Sequence, residues 1–326
     1  MENKENREKI YDIYYHNDFD GVSAAAVFVN FVLKNEGKIK SLNPINYSCE
    51  QKWASPDFFK NTSDDERVVI LDFFYHPRAD FWFDHHPTTF LKKEWRKNFQ
   101  ETKFQKIDSS YYSATHLVKD SLVSGFHYKP SKFIQSLVYW ADIIDGARYR
   151  NPQEATFSNK PAILLAAIIY KHRENHQFLN QLVQFLAKLP FSKIMEIPVI
   201  KKNVKAIIKE RQTASKFFEE NMKFYDNKVA FIDLSSKITI PHLRFFSYFY
   251  NPKVIYTVAI TKGKNLFYLH LHYNPWKHQK PKIDLGKFLK KYNGGGHLKA
   301  AGAEFESKTK TYQAVKEIID YLLKNG

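Results

Sequence analysis

The sequence predicts an α/β protein with an N-terminal parallel sheet flanked by helices and a smaller C-terminal α/β domain with a mixed sheet. Three observations predict it. A chain of 326 residues exceeds the size at which single cores divide, and 44% apolar content supplies core for two. In the first half, apolar runs of strand length alternate with segments of helical spacing, the pattern of a parallel sheet. A long charged segment then precedes a return to strands, which sets domains at 1–190 and 227–326 with a helical linker at 191–226.

The elements follow in order. IYDIYYH, 10–16, reads as a buried strand, and GVSAAAVFVNFVLKN, 21–35, as a helix whose small residues permit close packing on a sheet. RVVILDFF, 67–74, and ADFWFDHH, 79–86, are two further apolar runs of strand length. Residues 112–124, 131–147, 160–172 and 175–188 carry helical spacing. The stretch 201–224, KKNVKAIIKERQTASKFFEENMKF, is a charged helix with few core positions. Beyond it KVAFIDLS, KVIYTVAIT and NLFYLHLHY read as strands, followed by a helix at 284–292, a short Ala-rich helix after His297, and a terminal helix near 309–324. There are no internal repeats or low-complexity tracts.

Lysine and arginine outnumber aspartate and glutamate 50 to 34, and the net charge of +16 favours a polyanionic ligand such as nucleic acid, although excess lysine also serves solubility alone. Basic clusters at Lys92–Lys93, Arg96–Lys97, Lys287 and Lys290–Lys291 are candidates to guide it, against the common alternative of a solvated lysine face. The single cysteine, Cys49, excludes an internal disulfide framework and any multi-cysteine zinc site, and fits a reducing compartment. The opening MENKENREKI is charged, and no apolar run approaches the ~20 residues that span a bilayer. The expected location is the cytoplasm, with no membrane partner.

In HNDFDG, 16–21, His16, Asp18 and Asp20 are two apart, so on an extended strand end their side chains project from one face and converge. Imidazole and carboxylate without thiolate suit manganese, cobalt, magnesium or zinc. The bland alternative is an acidic turn with Asp20 capping a helix. Asp72 ends the next strand, where a lone aspartate is often a cap. The third cluster, Asp84–His85–His86, shifts the balance, because carboxylates buried together are unfavourable unless cations neutralise them. In YWADIIDGA, 139–147, Asp142 and Asp145 share a helix face, and Asp142 is the expected inward ligand. NGGGHLKAAGAEF, 293–305, brings Gly294, Gly295 and Gly296 before His297, a loop able to expose backbone N–H groups to phosphate, with the following helix N-terminus adding to the grip. Arg244 in PHLRFF is a candidate phosphate clamp or the partner of a local carboxylate.

The ordered set HNDFDG, ILD, DHH, ADIID and GGGHLKAAG resembles the DHH phosphoesterase family, with the C-terminal domain that carries the GGGH loop, over nearly the whole chain. YYHNDFDG is most similar to the opening of nano-RNases. RecJ-like exonucleases, pyrophosphatases, and phosphatases or phosphodiesterases of nucleotides and cyclic dinucleotides share the pattern more distantly. The resemblance implies metal ligands at Asp18, Asp20, Asp72, His85 and Asp142, with Asp72 bridging two ions. It places Asp84 and His86 in supporting or phosphate-contacting positions of the catalytic set, and gives the substrate phosphate to Gly294–Gly296 and His297. Many relatives have a metal-binding histidine where this chain has Tyr14; His16 or a water would take that role.

These readings imply two-metal hydrolysis of a phosphodiester, with two divalent ions, Mn2+ first and Mg2+ or Co2+ as alternatives. The substrate would bind in a cleft between the domains, with a hinge at 190–226 gating access. Short single-stranded RNA or DNA oligonucleotides are the favoured substrates. Phosphatase or phosphodiesterase action on small nucleotides, such as 3′-phosphoadenosine 5′-phosphate or cyclic dinucleotides, is the alternative, and a non-catalytic nucleic-acid-binding relative is the rival from another class. Pyrophosphate is disfavoured because the aromatic-rich chain and GGGH loop suit an organic ligand. RNA or DNA preference, cleavage polarity and oligomeric state, a dimer included, leave no trace in the sequence.

Overall fold

The computed structural model describes residues 9–63, 65–236, 245–263, 265–277 and 279–326. Two compact units emerge: residues 1–148 with 160–204, and residues 149–159 with 205–326.

The first unit is built on five parallel strands in the order β2-β1-β3-β4-β5. They are β1 (Ile10–His16), β2 (Lys38–Ile45), β3 (Glu66–Leu71), β4 (Phe81–Asp84) and β5 (Gln105–Ile107). The edge strands β2 and β5 carry no sequence signal of alternation. β2 is rich in lysine, serine and asparagine and includes Pro44, which an edge tolerates because only one side must supply ladder donors. The central strands are continuous apolar runs, as expected where both faces are covered.

One face is covered by α1 (Phe19–Lys34), whose residues from Phe19 to Val32 are all buried. An apolar helix without a wet side belongs inside, and small residues Ala24, Ala25 and Ala26 let neighbours approach on several sides. The opposite face is an aromatic core containing Trp53, Phe59, Phe73, Tyr75 and Trp82. Short helices α2 (Glu50–Trp53) and α3 (Lys93–Asn98) flank that face. Around α1 stand α4 (Ala114–Phe126), α5 (Lys132–Asp145), and, after α6 (Pro152–Phe157) of the second unit, α7 (Pro161–Lys171) and α8 (His176–Lys188).

After α9 (Phe191–Ile194), the charged helix α10 runs Pro198–Asn221, its residues to Val204 grouping with the first unit and those from Lys205 with the second. The second unit has a six-stranded mixed sheet in the order β10-β11-β9-β8-β7-β6. Its strands are β6 (Lys223–Tyr225), β7 (Val229–Asp233), β8 (Tyr256–Lys262), β9 (Phe267–Tyr273), β10 (Gly295–Gly296) and β11 (Ala300–Phe305). Only β7 and β8 pair in parallel. Short α11 (Phe246–Tyr250) and α12 (Leu285–Leu289) precede the terminal helix α13 (Lys308–Asn325), which buries Val315, Ile318, Ile319 and Leu322 on the sheet.

One element differs from expectation. The Ala-rich segment after His297 is not a helix but strand β11, paired with β9 from Ala300–His272 to Phe305–Phe267. Alternation decides it: Ala301 and Ala303 face the core while Ala300 and Gly302 lie on the other face, a period of two that short alanines also permit. No described helix is long and apolar enough to cross a membrane.

Candidate metal centre

Residues of HNDFDG, Asp72, the DHH turn and Asp145 meet at the carboxyl edge of the first unit's parallel sheet, where open α/β sheets collect ligands. His16 is the last residue of β1, Asp72 directly follows β3, and Asp84 ends β4; these three strands are adjacent. Asp18 is the N-cap of α1, its side chain accepting from the Gly21 N–H at 2.9 Å. A side chain at Gly21 would place its Cβ 2.2 Å from the His16 carbonyl oxygen, so only glycine lets the chain fold back this tightly.

Asp72 sits at the middle of the cluster. Its Oδ2 is 3.7 Å from His16 Nδ1, which is itself 3.1 Å from Asp18 Oδ2. Its Oδ1 is 3.8 Å from His85 Nε2, and that nitrogen is 3.6 Å from Asp20 Oδ2 and 3.4 Å from Asp145 Oδ2. One carboxylate therefore faces two ways, Oδ2 to His16 beside Asp18 and Oδ1 to His85 and His86, and His85 Nε2 also belongs to a third group with Asp20 and Asp145.

The donors fit divalent cations. Asp72 Oδ1 and Oδ2, His16 Nδ1 and His85 Nε2 are buried with no hydrogen-bond partner among the described residues. His85 Nδ1 lies 3.1 Å from the Tyr111 carbonyl oxygen, which can only accept, so Nδ1 carries the proton. His85 Nε2 is thereby aimed at carboxylate oxygens, the direction in which a metal ion would be held. The charges respond accordingly. Burial, then Asp20 and Asp18, push Asp72 well above the ordinary carboxylate range. Burial and Asp20 raise Asp145 to about 7. Asp20 is also raised, chiefly by burial, against the opposing pull of His85.

The remaining predicted residues take supporting places. Asp84 Oδ1 accepts from the backbone N–H of His85 at 2.8 Å and of His86 at 3.2 Å, and contacts His86 Nδ1 at 2.9 Å. It orients both histidines. Burial lowers the His86 pKa, but the bond to Asp84 and the charges of Asp72 and Asp84 overcome this and raise it to about 10. His86 is thus a cation at neutral pH, 3.5 Å from Asp72 Oδ1. Asp20 additionally accepts from the N–H groups of Ala114 at 2.6 Å and Thr115 at 2.9 Å, so it caps α4 while facing His85. Tyr14 is remote from this chemistry: it packs on Trp53 and Phe59 and donates to Asp12. His16 stands in the cluster instead.

One expected ligand is displaced. Asp142 accepts from Ser113 Oγ at 2.7 Å and pairs with His116 Nδ1 at 2.8 Å, and it is Asp145, the last residue of α5, that joins the donor set. Residues three apart on a helix differ by about 60° in direction, and α4 captures the first of them. The sequence signal was the second aspartate of ADIID. Two other residues went unread: Tyr111, acting through its backbone, and Tyr47, whose ring lies 4.6 Å from that of His16.

The donor set is formed wholly by the first unit. In the second unit Gly295 and Gly296 pair with Gly302 and Ala301 in a β-hairpin, and His297, at its exposed turn, donates its backbone N–H to the Ala300 carbonyl at 2.7 Å. At Gly296, φ is +140° and a Cβ would lie 2.5 Å from the Ala300 oxygen. A hollow of about 290 Å³ beside the loop is lined by Tyr268, His270, Asn293, Gly294, Gly295 and Gly302 among others. Arg244 lies outside the described residues.

No family model matches the chain, and no curated protein does. Among solved structures, a pGpG-specific phosphodiesterase, PggH from Vibrio cholerae, superposes with a TM-score of 0.72 at 18% identity, over 97% of this chain and 100% of that one. An exopolyphosphatase-related protein from Bacteroides fragilis gives 0.53 at 17% identity, over 98% and 93%. RecJ from Thermus thermophilus in complex with Mg2+ gives 0.54 at 11% identity, over 97% of this chain and 50% of that one. At these identities the likeness establishes the fold, and the expected DHH-type architecture is borne out at that level.

Proposed function

We propose that the chain is a phosphodiesterase, dependent on two divalent metal ions, that hydrolyses short oligonucleotides down to dinucleotides. The observation that carries this reading is the buried Asp72, whose Oδ2 faces His16 beside Asp18 and whose Oδ1 faces His85 and His86, with His85 also grouped with Asp20 and Asp145. His16, Asp18 and Asp72 would hold one ion; Asp20, His85, Asp145 and Asp72 the other. The donor set has no thiolate, which favours Mn2+, with Mg2+ or Co2+ as alternatives. Divalent ions in such a site supply a nucleophilic water at neutral pH and offset the charge of the phosphoryl oxygens.

The chain's own residues do the rest. Asp84 fixes the DHH turn by bonding both histidine amides. The Tyr111 carbonyl fixes the His85 ring, and cationic His86 offers charge to an incoming phosphodiester beside Asp72. In the second unit Gly294–Gly296 and His297 are the proposed phosphate seat, carried on a β-hairpin and not at a helix N-terminus; Gly294 and Gly295 line the hollow beside it. The likeness to a phosphodiesterase named for a linear dinucleotide supports small substrates.

A panel with the full chain tests this: two- to five-nucleotide RNAs, cyclic dinucleotides, 3′-phosphoadenosine 5′-phosphate and pyrophosphate, each with Mn2+ or chelator. Mn2+-dependent cleavage of the linear oligonucleotides is expected. Turnover of the other compounds alone would replace the substrate class, and no turnover with Mn2+ present would leave a binding module.

A further inference from the structure

We propose that Tyr112 and Arg148 form a platform beside the metal centre on which a nucleobase of the substrate stacks; this rests on the phosphodiesterase reading above and names how that site holds its substrate. The His85 ring is clasped between two segments, with Nδ1 at 3.1 Å from the Tyr111 carbonyl and Nε2 at 3.4 Å from Asp145. Tyr112 is the next residue of the first segment, and Arg148 lies three beyond Asp145 in the second. Their side chains meet: the Arg148 guanidinium carbon is 4.0 Å from the Tyr112 ring centroid.

The pair has the properties of a ligand surface. Tyr112 is a large aromatic residue left 50% exposed. Arg148 is exposed, and among the described residues no carboxylate pairs with its guanidinium and no carbonyl accepts from it. Its backbone is held, since its N–H donates to the Ile143 carbonyl at 2.8 Å and the preceding Ala147 is fixed at φ +50°. A flat ring and a planar guanidinium are the two side-chain surfaces on which bases stack without regard to sequence. The guanidinium's donor edge also suits a phosphate or a base acceptor. Because Tyr112 directly follows the Tyr111 carbonyl that bonds His85, the pair stands within a nucleoside's length of that histidine.

The alternative is a surface cation–π contact that only stiffens the turn after α5. Tyr112→Ala and Tyr112→Trp, in the full chain with Mn2+, separate the two. With the dinucleotide pApA, Tyr112→Ala is expected to raise KM roughly tenfold, within the range of one base–aromatic stack, while Tyr112→Trp retains the wild-type value and both keep kcat. A pApA analogue abasic at the stacked position should show the same loss with the wild type and no further loss with Tyr112→Ala. An unchanged KM with a lowered Tm in Tyr112→Ala would overturn the platform. Calorimetric binding of pApA supplies a second readout: if the wild type binds but hydrolyses nothing, the catalytic reading fails, and a roughly tenfold weaker Kd in Tyr112→Ala still sustains the stacking surface, whereas equal Kd values reject it.

Discussion

Asp72 occupies a left-handed backbone, φ +56°, immediately after β3, a conformation aspartate tolerates better than most residues and one that clusters at functional sites. Asp72→Asn should remove at least about 100-fold of metal-dependent turnover, the upper range for disturbing even outer contacts of a metal site. Without metal the same variant should melt above the wild type, because it removes a carboxylate that Asp20 and Asp18 repel. The pH dependence follows from Asp145. Its folded pKa, about 7, exceeds the ordinary carboxylate value, so between the two the folded state binds more protons than the unfolded. The chelated protein should therefore lose stability as pH rises from about 4 through 7, and added Mn2+ should stabilise it more at the upper end; Tm against pH with and without Mn2+ reads both. Asp145→Asn should reduce activity far more than Asp142→Asn, which disturbs the contacts to Ser113 and His116. DHH and HNDFDG were legible as dense clusters of donor residues, but the extended strand end expected for HNDFDG is not the geometry found: β1 ends at His16, Asp18 caps α1 and Asp20 lies in its first turn. The choice between Asp142 and Asp145 was not legible, since it depends on where α4 lies.

At the scale of elements, the start of α4 is part of the centre. Ser113 caps the helix, accepting from the His116 N–H at 3.2 Å, and Asp20 receives the next N–H groups from a motif 94 residues earlier. Ser113→Ala should cost about 1 kcal/mol, the usual value of a lost cap, measured by denaturant unfolding, and should loosen Asp142 at once. The glycine hairpin behaves differently. Gly296→Ala would meet the Ala300 oxygen in a backbone region closed to L-residues and should destabilise by about 1–3 kcal/mol. The sequence reading of a helix there followed alanine content, whereas β9 supplies a pairing edge that propensity cannot see. The edge strands β2 and β5 escaped notice for the same reason: they are strands because β1 and β4 offer ladders.

At the scale of the whole molecule, the charge of +16 creates a field that attracts anions, and salt should screen it. With two phosphate contacts to a short single strand, raising salt from about 50 to 200 mM should raise KM roughly sevenfold. Steady-state assays across that range check it; a flat response would assign the lysines to solubility. Two units were expected from length and from the charged helix, with a linker at 191–226; the contacts divide that helix between the units at Val204 and Lys205. That residues 149–159 group with the second unit was not expected, because the excursion is shorter than any compositional signal and is held by packing such as Phe157 on Phe246.

By itself the sequence determined the order of elements through the central strands and the identity of most residues at their carboxyl ends, since apolar runs and the polar residues that end them act within a few residues of chain. Only tertiary structure decided that these ends converge on Asp72, that Asp145 and not Asp142 lies beside Asp20 and His85, and that the Ala-rich tail is a strand. Each of those outcomes depends on a partner distant in the chain, and burial beside that partner sets both the charge a carboxylate bears and the conformation an ambivalent segment adopts.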